Sequence, residues 1–261
     1  MPVSENALPS RRRIYLMDEL RGFAVFCMIF YHGFYTLAFL YGMNAGLVLL
    51  NFFMPAEPYF AGMFILIAGI SSDLSRSNLK RGLKLLCVAL GVTLVTGLVV
   101  PQEMITFGIL HFLSICMILY GFLKPVSDRF RFSWAAVAVC AVLFAGTMGI
   151  TRGYLGFSPQ MGLLLPESLY QTSYLAPFGL PNAAFQSADY FPLFPWIFVF
   201  AAGTFLGKLA AEEKFPAFSY RSRVPFFSWL GRHALIIYIL HQPVIYGVCY
   251  AAEMLIKLIR A

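Results

Sequence analysis

The chain has 261 residues, of which 60% are hydrophobic and 12% charged, and its mean hydropathy is +0.75. This composition excludes an ordinary soluble globular domain and indicates an integral membrane protein. The net charge of +7 requires no nucleic-acid partner, because basic loops beside anionic lipid account for it. The five cysteines fall inside predicted helices, so they are expected to be packing residues, and no metal site is predicted.

Seven apolar runs between charge clusters predict seven transmembrane helices, since a hydrocarbon core about 30 Å thick needs roughly 20 apolar residues per helix. The runs cover residues 20–41, 58–72, 83–100, 104–122, 132–150, 191–209 and 234–259. The second run is short, and Pro55 and Pro58 separate it from apolar residues 47–53, which predicts a re-entrant or interfacial piece. The fold class is therefore an all-α polytopic membrane helix bundle.

The basic residues predict the orientation of this bundle. Sixteen of the 19 Lys and Arg residues precede or open helix one, or follow helices two, four and six. Because cytoplasmic loops are enriched in Lys and Arg, an N-terminal tail at 1–13 is expected in the cytoplasm. Residues 14–261 then form one transmembrane domain, with an external connection at 151–190. That connection is either functional or a lid over helix ends.

The first predicted helix carries the sequence DELRGFAVFCMIFYH at residues 18–32. At 1.5 Å per residue, His32 lies about 18 Å from the inner end of this helix, near the middle of the bilayer. Arg21 lies eleven residues earlier, which at 100° per residue places it within about 20° of the same helix face. Asp18 extends this face, which is expected to meet protein or a water-filled cavity, because lipid would strand these polar groups.

Two further histidines, His111 and His241, lie inside predicted helices, whereas His233 lies at a helix mouth. His111 is predicted about 10 Å from the outer edge of the bilayer and His241 about 11 Å from the inner edge. A single intramembrane histidine more often makes a helix-to-helix hydrogen bond. Three at related depths favour an internal polar path.

Several segments resemble those of transmembrane acyltransferases, both the acyltransferase family three proteins and the heparan-alpha-glucosaminide N-acetyltransferase-like proteins. Asp18-x-Leu20-Arg21-Gly22-x-Ala24 followed by His32 is similar to their first helix. Three more segments resemble the second branch: PYFAGMFILIAGISS at 58–72, ITFGILHFLSI at 105–115 and LGRHALIIYILHQPVI at 230–245. Together these segments span most of the chain from 14 to 250.

The resemblance implies acyl transfer across a membrane, from acetyl-CoA or another cytosolic acyl-CoA to an amine or hydroxyl of an extracytoplasmic glycan. It implies His32 as the base, because neutral imidazole takes up a proton near pH 7. Arg21 would bind a phosphate or carbonyl oxygen of the donor, and Asp18 would orient Arg21. The substrate-binding candidates are His111, His241, Gln242 and Glu57.

One departure from the resemblance leaves the role of His32 open. The animal lysosomal enzymes carry an asparagine at the matching position and an important histidine in the following lumenal loop. Residues 41–57 contain no histidine. His32 is therefore a base, a transient acyl carrier or a positioning group. The small chain resembles a bacterial version in the inner membrane, whose acceptor would be a cell-surface or periplasmic glycan.

Two other classes of function fit the intramembrane histidines. Histidines on separate helices can supply axial ligands to haem. They can also relay protons or line the pathway of a transporter, and Pro243 beside His241 and Gln242 is the one local feature that favours this class. The sequence does not fix the acyl chain, the acceptor or the oligomeric state.

Overall fold

The computed structural model describes residues 12–260. The predicted tail at 1–13 therefore lies outside the described residues, except for Arg12 and Arg13. The helices are α1 Tyr15–Tyr35, α2 Asn44–Phe53, α3 Glu57–Asp73, α4 Asn78–Val99, α5 Ile109–Ser127, α6 Trp134–Thr147, α7 Leu193–Ala211, α8 Pro225–Arg232 and α9 Ala234–Arg260. Two short antiparallel strands, β1 Tyr154–Leu155 and β2 Leu163–Leu164, lie in the long connection.

Seven helices in the described chain are long and apolar enough to cross a membrane, which confirms the predicted helical bundle. They are Tyr15–Leu40, Asn44–Asp73, Asn78–Val99, Ile109–Ser127, Trp134–Arg152, Leu193–Ala211 and Ala234–Ile259. Successive spans alternate in direction, so the basic connections after spans two, four and six lie at the same end as the start of α1.

The second span differs from the sequence-based expectation. α2 and α3 are joined by a single 3-10 turn, Met54–Ala56, and together form one 30-residue span. Pro55 and Pro58 each lie in the first turn of a helical element, where the missing N–H removes no hydrogen bond. The prolines therefore do not end the helical run, and the re-entrant or interfacial position expected for α2 stays a prediction.

The start of the fourth span also differs. α5 begins at Ile109, five residues later than predicted, because the chain from Pro101 to Gly108 forms a 3-10 turn and then an extended segment. In that segment Phe107 pairs with Tyr190 at the end of the long connection. His111 consequently lies in the first turn of α5, nearer the start of its helix than the sequence predicted.

Glycines allow α3 and α7 to cross at very close range. A Cβ on Gly203 would overlap the carbonyl oxygen of Leu66, and one on Gly69 would overlap the carbonyl oxygen of Phe200. Small residues at such crossings let membrane helices approach until their backbones touch. This crossing is the centre of the bundle, since α5 packs beside it through Phe112 and Phe200 in the main buried cluster.

We expect Gly203→Val to destabilise the bundle by about 1–3 kcal/mol or more, because the added side chain has no space at the crossing. Gly146→Val is the matched control, since a Cβ on Gly146 of α6 meets no atom within 4 Å. Thermal unfolding in detergent measures both variants. Equal melting temperatures for the two would contradict the close α3/α7 packing.

α8 is a short helix that the apolar runs did not predict, and it is fixed against α1. A Cβ on Gly22 would overlap the carbonyl oxygen of Phe227, and one on Gly231 would overlap that of Asp18. Glu19 Oε1 also accepts hydrogen bonds from the backbone N–H groups of Arg223 and Val224, at 2.7 and 2.9 Å. Gly22 of the DELRG motif therefore serves a backbone contact.

Candidate functional site

Two histidines from opposite ends of the sequence meet inside the bundle. His32 on α1 and His241 on α9 have ring centroids 4.9 Å apart. Gln242, the next residue on α9, lies with its amide nitrogen 3.1 Å from His32 Nδ1. The structure thus brings together three of the residues that the sequence analysis selected, although 209 residues separate His32 from His241.

The hydrogen bonds constrain the protons on these rings. His241 Nδ1 lies 2.6 Å from the carbonyl oxygen of Tyr238, so this nitrogen carries the proton and donates it. In the neutral ring His241 Nε2 then has a lone pair that can accept a hydrogen bond. His241 Nε2 and Gln242 Oε1 are buried and have no hydrogen-bond partner among the described residues. The oxygen and nitrogen of a glutamine amide are interchangeable by a flip of the side chain. In the structure the amide N–H of Gln242 faces His32 Nδ1. After a flip, Gln242 Oε1 would accept from His32 Nδ1–H and leave His32 Nε2 free to accept a proton.

His32 borders a cavity of about 260 Å³ that also contains two carboxylates. We name it the acidic cavity, after Glu57 in the first turn of α3 and Asp189 at the end of the long connection. Tyr31, Tyr190 and Tyr238 also border it, beside apolar residues of α1 and α3. The cavity is therefore bordered by an imidazole, two carboxyl groups and three tyrosines, two of which already donate to Ala176 O and Asp189 Oδ2.

Asp189 is held in place by residues 107–111, FGILH, at the start of α5. Its Oδ2 accepts hydrogen bonds from Ile109 N at 3.0 Å and from the Tyr238 hydroxyl at 2.6 Å. Gly108 makes room for this carboxylate, since a Cβ there would overlap Asp189 Oδ2. The FGILH segment thus anchors an acidic side chain from the long connection against α5 and α9.

A second cavity of about 380 Å³ lies on the other side of His32, between α4 and α9. We name it the apolar cavity, because valines of α4 and Ile239, Leu240 and Pro243 of α9 form much of its wall. His241, Gln242 and Tyr246 lie at its border, and Tyr31, His32, Asp189 and Tyr238 are shared with the acidic cavity. The two cavities therefore meet at the histidine pair.

A third cavity, of about 450 Å³, lies toward the basic end of the bundle. We name it the basic cavity, since its lining includes Arg21, Arg81, Lys84 and Arg232. Tyr238 borders all three cavities, Phe64 borders the basic and acidic ones, and Val88 borders the basic and apolar ones. The cation cluster and the histidine pair therefore lie at two ends of adjoining space.

Asp18 and Arg21 form an ion pair of 3.5 Å at the start of α1. Asp18 also pairs with Arg13 at 2.7 Å, and Arg21 Nη2 donates to Ser71 Oγ at 2.8 Å. Arg21 borders both the basic cavity and a neighbouring pocket, and Asp18 borders only that pocket, together with Arg12 and Arg13. Asp18 thus contacts Arg21 from outside the space that holds the histidines.

His111 lies apart from the other two intramembrane histidines. Its Nδ1 accepts from the N–H of Gly108 at 3.3 Å, and its Nε2 lies 3.1 Å from the hydroxyl of Thr93 on α4. Both ring nitrogens therefore have partners, and the ring borders neither the acidic nor the apolar cavity. His111 therefore joins α4 to α5 through a hydrogen bond and does not lie beside His32 and His241.

The site contains residues that sequence reasoning did not select. Arg81, Lys84 and Arg232 entered only as topology signals, although Arg81 and Lys84 are three residues apart and share a face of α4. Tyr238 precedes His241 by three residues, and that spacing was a signal for the same face of α9. Asp189 had no local signal, because only the tertiary fold brings the end of the connection to α5.

Asp189 lies outside the membrane-spanning helices, and burial raises the pKa of its carboxyl, while bonds from Tyr238 and Ile109 partly oppose that rise. Because the pKa of Asp189 is higher in the folded than in the unfolded chain, where it is about 4, the folded protein loses stability as pH rises from about 4 through the folded pKa.

We expect Asp189→Asn to remove this pH dependence of the melting temperature and to melt no lower than the native chain near neutral pH. Asp189→Ala should lose about 1–3 kcal/mol, since two donors lose their acceptor.

Among residues 12–260, no group of three or more His, Cys, Asp and Glu side chains is arranged to hold a metal ion. The comparison with family models matches residues 13–243 to the family described as heparan-alpha-glucosaminide N-acetyltransferase, catalytic. No curated protein and no solved structure matches the chain.

The family match covers well over half of the sequence and includes α1 with Arg21 and His32, the long connection and the start of α9. The spacing shared with acyltransferase family three stays a resemblance. With seven candidate membrane spans beside this match, the protein is a membrane acetyltransferase of this type. The chain belongs to the heparan-alpha-glucosaminide N-acetyltransferase catalytic family.

Proposed function

We propose that the protein transfers an acetyl group from cytoplasmic acetyl-CoA to a sugar amine on the other side of the membrane. The observation that carries this proposal is the adjoining set of cavities, with cations at one end and a histidine pair beside two carboxylates at the other. In this proposal the basic end of the bundle faces the cytoplasm, as the distribution of Lys and Arg favours. The membrane is then a bacterial inner membrane.

The basic cavity suits the donor. Coenzyme A carries several phosphate groups, and the guanidinium and ammonium groups of Arg21, Arg81, Lys84 and Arg232 are suited to bind them. The step of eleven residues from Arg21 to His32 corresponds to about 16 Å along α1. The narrow pantetheine arm would run along this face past Tyr238 and bring the thioester to His32. Asp18 would hold Arg21 in position from outside the cavity.

The acidic cavity suits the acceptor. Glu57 and Asp189 border it together, and two carboxylates attract a protonated amine and accept hydrogen bonds from sugar hydroxyls. An amine is therefore favoured over a hydroxyl as the nucleophile.

His32 would act on the acceptor once the amine is neutral. The amine nitrogen attacks the thioester carbonyl, the new N–C bond forms, and His32 Nε2 takes the proton that the nitrogen loses. The C–S bond then breaks, and the imidazolium returns its proton to the coenzyme A thiolate. With its amide flipped so that Oε1 replaces Nε2 beside His32 Nδ1, Gln242 would keep the required tautomer by accepting from His32 Nδ1–H, and His241 would pack behind the ring.

The haem alternative fits the geometry poorly. His32 and His241 have ring centroids 4.9 Å apart, which leaves no space for a macrocycle between them. Both nitrogens of His111 are engaged with Gly108 and Thr93. A Soret band in purified protein would reverse this argument. A transporter would move a substrate into liposomes without coenzyme A.

The experiment that tests the proposal measures acetyl-CoA binding to detergent-purified protein and then thiol release after glucosamine is added. We expect binding, followed by release of one thiol for each acetyl group that appears on the sugar nitrogen. Folded protein that binds no acetyl-CoA, or that releases thiol only by hydrolysis, would contradict the proposal.

A further inference from the structure

The apolar cavity has no role in the transfer of an acetyl group to a small soluble sugar. It is larger than the acidic cavity, and its surface is mainly apolar, with Val, Ile, Leu and Pro side chains of α4 and α9 beside a few polar residues that include Glu103. We propose that it binds the alkyl chain of the acceptor, so that the substrate is an amphiphile whose sugar head group is acetylated while its tail extends into lipid. This inference rests on the proposed function and specifies its acceptor.

The cavity lies between two helices that do not close over it. In the described part of the chain α4 packs against α5 and α9 packs against α1 and α8, but α4 and α9 do not form a packed pair. Two of the residues that line the cavity are also exposed, since Val95 is 58% and Leu240 51% exposed. A hydrocarbon chain can therefore enter sideways from lipid without crossing a polar layer.

The polar end of the cavity points to a ligand of mixed character. The side chain of His241 is only 8% exposed, and its Nε2 has no hydrogen-bond partner among the described residues. An unpaired buried polar atom is costly unless a ligand or water satisfies it. Since His32 and Asp189 border both cavities, a molecule with its head group in the acidic cavity has a direct route for its tail into the apolar one.

The same hydrocarbon wall would also suit a long acyl chain on the donor, but the position of the opening favours the acceptor. The donor is soluble and enters through the basic cavity, so its acyl chain has no need of an opening to lipid. A lipid-anchored acceptor keeps its tail in the bilayer throughout, and a lateral cleft between α4 and α9 lets it bind without extracting that tail.

Gly91 on α4 allows a direct test, because it borders the apolar cavity and a Cβ there meets no atom within 4 Å. Gly91→Phe would place a ring in the cavity. Gly146→Phe on α6 is the matched control, since it is equally open and distant from all three cavities. Both changes put the same residue into a membrane helix at a glycine.

The kinetic experiment uses native protein and both variants in lipid nanodiscs with acetyl-CoA and either methyl or octyl glucosaminide. We expect the native protein and Gly146→Phe to show a KM at least tenfold lower for the octyl compound. Gly91→Phe should lose most of this preference. If both variants preferred the octyl compound equally, the preference would come from partitioning of that compound into the lipid of the disc, and the proposal would be overturned. A preference for octanoyl-CoA that Gly91→Phe removes would assign the cavity to the donor and would also overturn it.

A binding experiment without acetyl-CoA separates this proposal from the proposed function. An octyl glucosaminide with a diazirine in its tail is photolysed with the protein, and labelled peptides are identified by mass spectrometry. We expect labels on α4 and α9 near Val95 and Leu240, which Gly91→Phe reduces severalfold and Gly146→Phe does not. Labelling without acetyl transfer would refute the transferase but support the alkyl site. Transfer without labelling there would refute the alkyl site alone.

Discussion

His32→Ala is expected to lower the rate of acetyl transfer by about 10²- to 10⁴-fold, the usual contribution of a general base. Acetyl-CoA binding should be nearly unchanged, because the donor phosphates are proposed to bind at the basic cavity rather than beside His32. Single-turnover kinetics and equilibrium binding of acetyl-CoA separate the two effects. A loss of binding as large as the loss of rate would indicate that His32 positions the donor.

The chain offers its own controls for this experiment. His233→Ala removes a histidine at the end of α8 whose ring bonds only to the Trp229 carbonyl and borders none of the three cavities, so the rate should be unchanged. Gln242→Glu keeps an acceptor for His32 Nδ1–H, whereas Gln242→Leu removes it. The first variant should retain more activity than the second if Gln242 sets the tautomer. Equal activity in both would contradict that role.

Replacing both Arg81 and Lys84 with alanine is expected to weaken acetyl-CoA binding by at least tenfold. One charged hydrogen bond is worth about 1.5–3 kcal/mol, and partial exposure of these groups reduces that value. The loss should shrink as salt is raised, because ions screen the native attraction. Calorimetric titration of acetyl-CoA at low and moderate salt measures this loss of affinity.

Lys80→Ala is the matched control for the cation pair. Lys80 is an exposed cation on α4, one residue before Arg81, and it does not border the basic cavity. We expect its acetyl-CoA affinity to stay within about twofold of the native value, since a distant exposed charge contributes little. If Lys80→Ala weakened binding as much as the double variant, the effect would be one of net charge and the donor site would lie elsewhere.

The spans were predictable because their signal is local. Apolar length alone identifies seven helices, and only their ends were displaced where backbone partners intervene, as at Phe107 with Tyr190. α8 was not predictable as a span, since eight residues are too short to cross a bilayer. Its position depends on contacts of Gly22 and Gly231 that no hydropathy profile contains.

The candidate site was predictable only where residues share one helix. Helical periodicity placed Arg21 and His32 on one face, and both border the adjoining cavities. The position of His111 along its helix was predicted poorly, because an extended segment precedes α5 and the helix begins only at Ile109. Asp189 and Tyr238 converge only through tertiary contacts, so single-helix spacing could not reveal their pairing.

The backbone contact between α1 and α8 fixes the start of the last span, because α9 follows α8 directly and its first residues border the basic cavity. The half of α9 beyond Pro243 differs, since most of its apolar side chains are exposed. A proline inside a helix removes one backbone hydrogen bond, so Pro243 supplies a hinge between the two halves. We expect the half of α9 beyond Pro243 to move relative to α4 while the donor pocket keeps its shape. Spin labels on α4 and α9 should then report a broader distance distribution than labels on α1 and α8.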